Sequence, residues 1–289
     1  MKKVTLTLLA ASLSLLSCGE RQGAQIKNAE PEHPFIEICN GGPAAPEIKK
    51  TVDAIIDASN YDDCLEAYDN LMKRNALELN GYGITNLEPV SWIKNLMILD
   101  LIDNKISDIS PITKLKHLYW LDLTKNQIED LTPLNNFDTL TGLQVSMNRL
   151  KDLNGVQSHQ GITRLVSFSN NITNLDHLSN LNELSLLHLA GNGLSDLSAL
   201  ANLTNLLTLA LHHNEIEDVT PLKNLRSLKS LALSTNRIRT LVPIRNLHNL
   251  RINRFYMHEN PLGNDVEKTP ENCPVNEHDA EAIVNWCRI

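Results

Sequence analysis

At 289 residues the chain has room for one large domain or two small ones. A net charge of −8, with lysine and arginine dispersed along the chain, argues against a nucleic-acid-binding face. Aromatic residues make up 4% against a hydrophobic content of 42%, so the core must be aliphatic, and the heavy use of leucine and asparagine points to a repeated, layered core.

The chain opens MKKVTLTLLAASLSLLSCGE. Lys2 and Lys3 precede an apolar run from Val4 to Leu16 that is too short to span a bilayer and reads as the apolar region of a signal segment. Leu15-Leu16-Ser17-Cys18 resembles the lipobox of bacterial lipoproteins, with an aliphatic residue at −3, a small one at −1 and then the cysteine. The resemblance implies a signal peptide over 1–17 and lipid on the thioether and new amine of Cys18. Several acyl chains, each contributing ~0.8 kcal/mol per buried methylene, make such an anchor effectively permanent. A plain secretory signal with an incidental cysteine is the alternative. Gly19, rather than Asp, after the cysteine points to the outer membrane under enterobacterial-type sorting. No other stretch is apolar and long enough to cross a membrane, and loss of 1–17 brings the charge to −10. Residues 18–36 are mostly polar, include Pro31 and Pro34, and read as a flexible tether.

Residues 37–76 read as a helical cap. PEIKKTVDAIIDAS from Pro46 places Val52, Ile55 and Ile56 at helical spacing behind a first-turn proline. DDCLEAYDNLMKR from Asp62 reads as a second helix opened by acids. Apart from Cys18 there are four cysteines, Cys39, Cys64, Cys273 and Cys287, in a front pair and a back pair. An even number in an exported chain argues for disulfides, and of three possible pairings proximity favours Cys39–Cys64 and Cys273–Cys287. A four-cysteine zinc site would need both ends of an elongated molecule to meet.

From Leu77 the chain repeats. LDLIDNKISDISPI starts at Leu99, LDLTKNQIEDLTPL at Leu121, LHLAGNGLSDLSAL at Leu187, LALHHNEIEDVTPL at Leu209 and LALSTNRIRTLVPI at Leu231. Asparagines recur every 22 residues at Asn104, Asn126, Asn148, Asn170, Asn192, Asn214 and Asn236, and Asn260 follows after 24. In the frame from Leu209 the apolar positions are Leu209, Leu211, Ile216, Val219, Leu222, Leu225 and Leu228. The first two alternate as in a short strand with one face buried. The later three-residue spacing fits a tight helical or 3₁₀-like return. Twenty-two residues cannot bury such a stripe alone, whereas stacked neighbours can.

These frames resemble the leucine-rich repeat superfamily in its 22-residue, internalin-like form, L-x-L-x-x-N-x-I-x-D-L-x-P-L, over nine frames spanning 77–262. The resemblance implies an α/β solenoid: a curved, right-handed coil with a parallel β-sheet on its concave face and helical caps at both ends. It also implies an asparagine ladder between coils, since a carboxamide offers both donors and an acceptor to turning backbone. Asp108, Asp130, Asp196 and Asp218 then serve local turns on the return path. Tyr82 stands where the first asparagine is expected, Ser167 replaces a strand leucine and His159 an apolar residue. With Gly142 and Gly155 nearby, 142–168 should be the loosest part of the column or a change in its curvature. Residues 263–289 form the C-terminal cap, where NEHDAEAIVNWCRI presents Ile283, Val284 and Trp286 on a short amphipathic helix.

On the concave face the pattern places acids towards the N-terminal end, Asp100, Asp103 and Asp122, and then Trp120, Phe168, His188, His212, Tyr256 and His258. Exposed rings on a rigid scaffold are typical binding anchors, although any single one is as readily plain surface. His212 and His213, adjacent in a strand, should diverge unless the turn bends them together. No cysteine completes a histidine metal set, no catalytic motif such as G-x-S-x-G or H-E-x-x-H occurs, and no cofactor is expected. The expectation is a non-enzymatic, monomeric, lipid-anchored envelope protein that binds a protein or polysaccharide, not nucleic acid, through its concave face. A structural or adhesive role through the caps or convex face, and a histidine metal-binding module, are the alternatives.

Overall fold

The computed structural model describes residues 33–262, 266–274 and 278–288. The signal segment, Cys18 and the tether as far as residue 32 lie outside the described residues. Residues 34–289 form one compact unit.

Three helices open it: α1 (Pro34–Cys39), α2 (Pro46–Ser59) and α3 (Cys64–Leu71). Pro46 starts α2 at the position where a missing N–H costs nothing, and Asn60 ends it in a left-handed turn. Asp63 caps α3 by accepting from the Leu65 and Glu66 amides. The expected tether therefore ends earlier than residue 36. Residues 34–36 belong to α1, and Phe35 is buried as a cap core residue, an apolar anchor hidden in an otherwise polar stretch.

Nine three- or two-residue strands follow among the described residues: β1 (Ala76–Glu78), β2 (Ile98–Asp100), β3 (Trp120–Asp122), β4 (Gly142–Gln144), β5 (Arg164–Val166), β6 (Leu186–His188), β7 (Thr208–Ala210), β8 (Ser230–Ala232) and β9 (Phe255–Tyr256). They form one parallel sheet in chain order. Leu77, Leu99, Leu121, Leu143, Leu165, Leu187, Leu209, Leu231 and Phe255 pair in register, so the first frame position is a single buried column. The two extra residues before the last frame are taken up by a short 3₁₀ turn, Ile252–Arg254, and leave the register intact.

Each return path is a 3₁₀ turn opened by an acidic or amide side chain or, before Val242–Ile244, by the Thr240 hydroxyl. Asp108, Asp130, Asp196 and Asp218 accept from the amides of Ser110, Thr132, Ser198 and Thr220 at 2.8 Å. These carboxylates are occupied in turns, as the resemblance implies. The coil after β4 is the exception and passes through plain turns. Pro111, Pro133, Pro221 and Pro243 preset the helical φ elsewhere, but Gly155 occupies that place with φ +120°. The chain stays close there all the same: Leu143, Val145, Leu150, Leu153 and Val156 are at most 1% exposed. The expected loosening of 142–168 is thus a change of turn, not of packing. Gly142 and Gly155 mark close approaches between coils.

The asparagine ladder is realised in full. Each carboxamide oxygen accepts an amide of the preceding coil, as Asn148 does from Ile128 at 2.9 Å. Each amide nitrogen donates to carbonyls of two coils, Leu123 and Val145 for Asn148. The same pattern holds for Asn104, Asn126, Asn170, Asn192, Asn214, Asn236 and Asn260. Asn192, between Gly191 and Gly193, is the most open of them. Where the ladder would begin, Tyr82 instead donates to Asp57 of α2 at 2.5 Å, tying the first coil to the cap.

Helix α4 (Glu281–Arg288) closes the other end with Ile283 fully buried and Val284 nearly so. Arg245 of the last regular coil holds Asp279 at 2.7 Å, and Lys268 lies over the Trp286 ring. Cys39–Cys64 and Cys273–Cys287 are both formed. They close loops with separations of 25 and 14 residues, worth about 3 kcal/mol each by loop entropy. Thermal melts under a reductant should therefore show early loss of both caps; superimposable reduced and oxidised melts would contradict this.

Candidate functional site

The exposed face of the sheet carries the residues on either side of each buried column. Register aligns Glu78, Asp100, Asp122 and Gln144 on neighbouring strands β1–β4, one acidic row closed by an amide. Asp122 is nearly buried, accepting from the Thr124 amide and from Gln144 at 2.7 Å. Burial, then the Asp122 charge, raises the Asp100 pKa, and the Trp120 indole N–H, which donates to Asp100 at 3.1 Å, opposes the rise. Asp103 differs from these. It lies past the strand, in a left-handed turn, paired with Lys125 at 2.8 Å.

Trp120 lies against the sheet beside this row. A Cβ on Gly142 would fall 2.3 Å from the indole, so the glycine is the space the ring occupies. The ring passes over β4 to meet the Arg164 guanidinium of β5 at 5.8 Å. Trp120 is therefore a packed floor rather than a projecting anchor.

A second group begins two strands on. Phe168 and His188 have ring centroids 5.1 Å apart, His188 and His212 5.6 Å, and His212 and His213 5.5 Å. This is a continuous run of four rings over three coils. His212 and His213 are not strand residues, because β7 ends at Ala210. The residue before the ladder position, which Tyr82 holds in the first frame and asparagine in the others, is left-handed throughout: Gly81, Asp103, Lys125, Met147, Ser169, Gly191, His213, Thr235 and Glu259. That bend turns the asparagine inward and brings His213 back onto His212. Tyr256 and His258 stand apart, separated from His212 by the coil of β8, where Ala232 and Ser234 take the equivalent places.

His188 Nε2 and His212 Nδ1 are buried and make no hydrogen bond within the chain. Burial lowers both pKa values, helped by His212 for His188 and by His213 for His212, so both rings are neutral at pH 7. Among the described residues no three of His, Cys, Asp and Glu are placed to share a metal ion.

Away from this face, His159 is fully buried where its neighbours along the column are Phe137 and Leu181. Burial lowers its pKa, opposed more weakly by the Phe137 and Gly155 backbone and by Asp138. For all three histidines the folded pKa lies below the ordinary 6.5, so the unfolded chain binds protons first. Stability is therefore full above about pH 6.5 and falls as the pH drops below it. Melting points between pH 7.5 and 5 should decline, and His159→Leu should flatten the decline. An unchanged slope in that variant would remove His159 from the account.

Sequence reasoning named most members of both groups but missed Glu78, Gly142 and Arg164. The signal for all three was available in the frame register, which sets Glu78 beside Asp100 and Gly142 between Trp120 and Arg164.

Comparison with known proteins agrees with this architecture. A family of leucine-rich repeats in two copies matches residues 182–224. No curated protein matches the chain significantly. An internalin (InlF) of Listeria monocytogenes superposes with a TM-score of 0.65 at 29% identity, covering 71% of this chain and 60% of that one. The chain thus spans less than two thirds of that internalin's length. Internalin C2 of the same organism gives a TM-score of 0.65 at 26% identity, with 72% and 91% covered. The ectodomain of the receptor kinase GASSHO1/SCHENGEN3 from Arabidopsis thaliana, in complex with CASPARIAN STRIP INTEGRITY FACTOR 2, gives 0.53 at 25% identity over 62% of this chain and 23% of that one. With its nine-stranded parallel sheet among the described residues, near-constant 22-residue period and asparagine ladder, the chain has a leucine-rich repeat fold similar to that of the internalins.

Proposed function

We propose that this is a lipid-anchored, non-enzymatic envelope protein that binds a protein or polysaccharide partner on the exposed face of its sheet. The observation that carries this reading is the Phe168–His188–His212–His213 ring run, half-exposed on a scaffold held by the ladder beneath it. Rigid rings offer large contact area at little entropic cost. Leucine-rich repeats are typically protein-interaction scaffolds, and the plant ectodomain stands in complex with CASPARIAN STRIP INTEGRITY FACTOR 2, which favours protein over polysaccharide. No helix among the described residues is long and apolar enough to cross a membrane. Anchoring is read at Cys18 from the lipobox-like Leu15-Leu16-Ser17-Cys18, in the outer membrane by the Gly19 reasoning.

A pull-down from envelope extract with residues 34–289 tests the reading. The control carries Phe168, His188 and His212 changed to serine and is checked for folding. Capture by the parent and loss by the control is expected. Equal capture by both would move binding to the caps or return face, where Tyr61 and Leu65 are exposed. Palmitate labelling that survives Cys18→Ser would remove the anchor.

A further inference from the structure

The sheet face has two chemically different halves, and they restrict what can lie across it. On β1–β3 the row Glu78, Asp100 and Asp122 carries three carboxylates on adjacent strands. Lys125 is paired with Asp103, and Arg74 is held in the cap by Asn70 and the Ala58 and Ser59 carbonyls. The row runs into a recess of about 460 Å³ lined by Asp57, Asn60, Arg74, Glu78 and Tyr82. On β5–β7 no carboxylate acts on His188 or His212 at the centre of the ring run, and Phe168 stacks beside them. Arg164, stacked on Trp120, stands at the boundary and closes the ring half to a second cation.

Resting on the sheet-face reading above, we propose that the occupant is an extended peptide segment of a protein partner, cationic at one end and aromatic at the other. Its lysine or arginine lies over Glu78, Asp100 and Asp122, and its aromatic side chain stacks on Phe168, His188 and His212. Charge complementarity sets this polarity: a cation relieves the repulsion within the acidic row and is repelled by Arg164 beyond it. From Asp100 on β2, the middle of the acidic row, the rings of the β5 and β6 coils are three to four strands away, about 14–19 Å at ~4.8 Å per strand. An extended segment covers that distance in about four to six residues at ~3.3 Å each. The half-buried rings present faces and edges for stacking, so the aromatic end can be Trp, Tyr or Phe.

Fluorescence anisotropy with residues 34–289, one compact unit containing both disulfides, tests this with defined probes. The first labelled peptide has two lysines, a four-residue Gly/Ser spacer and a Trp-Phe pair. The second replaces the lysines by glutamates, and the third replaces the rings by serines. The first should bind at least tenfold more tightly than either of the others. Glu78→Gln with Asp100→Asn should erase its advantage over the glutamate peptide while keeping its advantage over the ring-free one. Phe168→Ser with His188→Ser should do the reverse. Equal binding of the lysine and glutamate peptides, or no binding by any, overturns the proposal. If none binds while the pull-down still captures a partner that the face variant loses, the peptide proposal fails and the sheet-face reading stands. If the pull-down partner is kept by the face variant, both fail.

Discussion

Gly155→Ala should destabilise the solenoid by about 3–5 kcal/mol, a large effect for adding one methyl group. The backbone sits at φ +120°, where an L side chain is strained, at a cost of order 1–3 kcal/mol. The added Cβ would also lie 2.0 Å from the Leu131 carbonyl oxygen of the preceding coil. Backbone cannot step aside as a flexible side chain can, so the coils must separate, and overpacking adds about 1–3 kcal/mol. Fully buried His159 lies in the same return path, so the separation would also admit water to it. Chemical denaturation with residues 34–289 measures the cost. A midpoint within error of the parent would mean that the two coils are not this close.

The second large effect comes from the ladder, and it should be non-additive. Asn126→Ala orphans the Ile106 amide and Asn148→Ala orphans the Ile128 amide, each costing about 1–3 kcal/mol. Either single change leaves the Leu123 carbonyl one donor, because Asn126 and Asn148 both donate to it, at 3.0 and 2.9 Å. The double change removes both and leaves that carbonyl buried without a partner. The double variant should therefore lose at least ~1 kcal/mol more than the sum of the singles, in the range found for residues that share a network. A double-mutant cycle closing within about 0.3 kcal/mol would show that neighbouring asparagines act independently.

Much of this was legible because a repeat turns one observation into many. The 22-residue asparagine period located the strands, the ladder and the buried column together, and Pro46 and the acids at Asp62–Asp63 located the cap helices. What was not legible depends on neighbours in space rather than on positions within a frame. Seven of the nine residues before the ladder position are non-glycine, so no residue type announced the left-handed bend that joins His212 to His213. Gly142 and Gly155 read as weakness in one dimension, yet each is room for an atom of an adjacent coil, the Trp120 ring and the Leu131 carbonyl. Phe35 looked like part of a polar leader because its burial comes from packing against helices that follow it. The ring run was legible as members of one face, but not as rings in contact.

The central claim is that the partner lies on the sheet face, and site-specific photo-crosslinking tests it most directly. A photoreactive phenylalanine would replace His188 on the ring run in one variant and Lys223, exposed on the return path, in another, each exposed to envelope extract. The account predicts a crosslinked partner from position 188 and none from position 223. A crosslink from 223 alone would contradict it and place recognition on the opposite side of the coil.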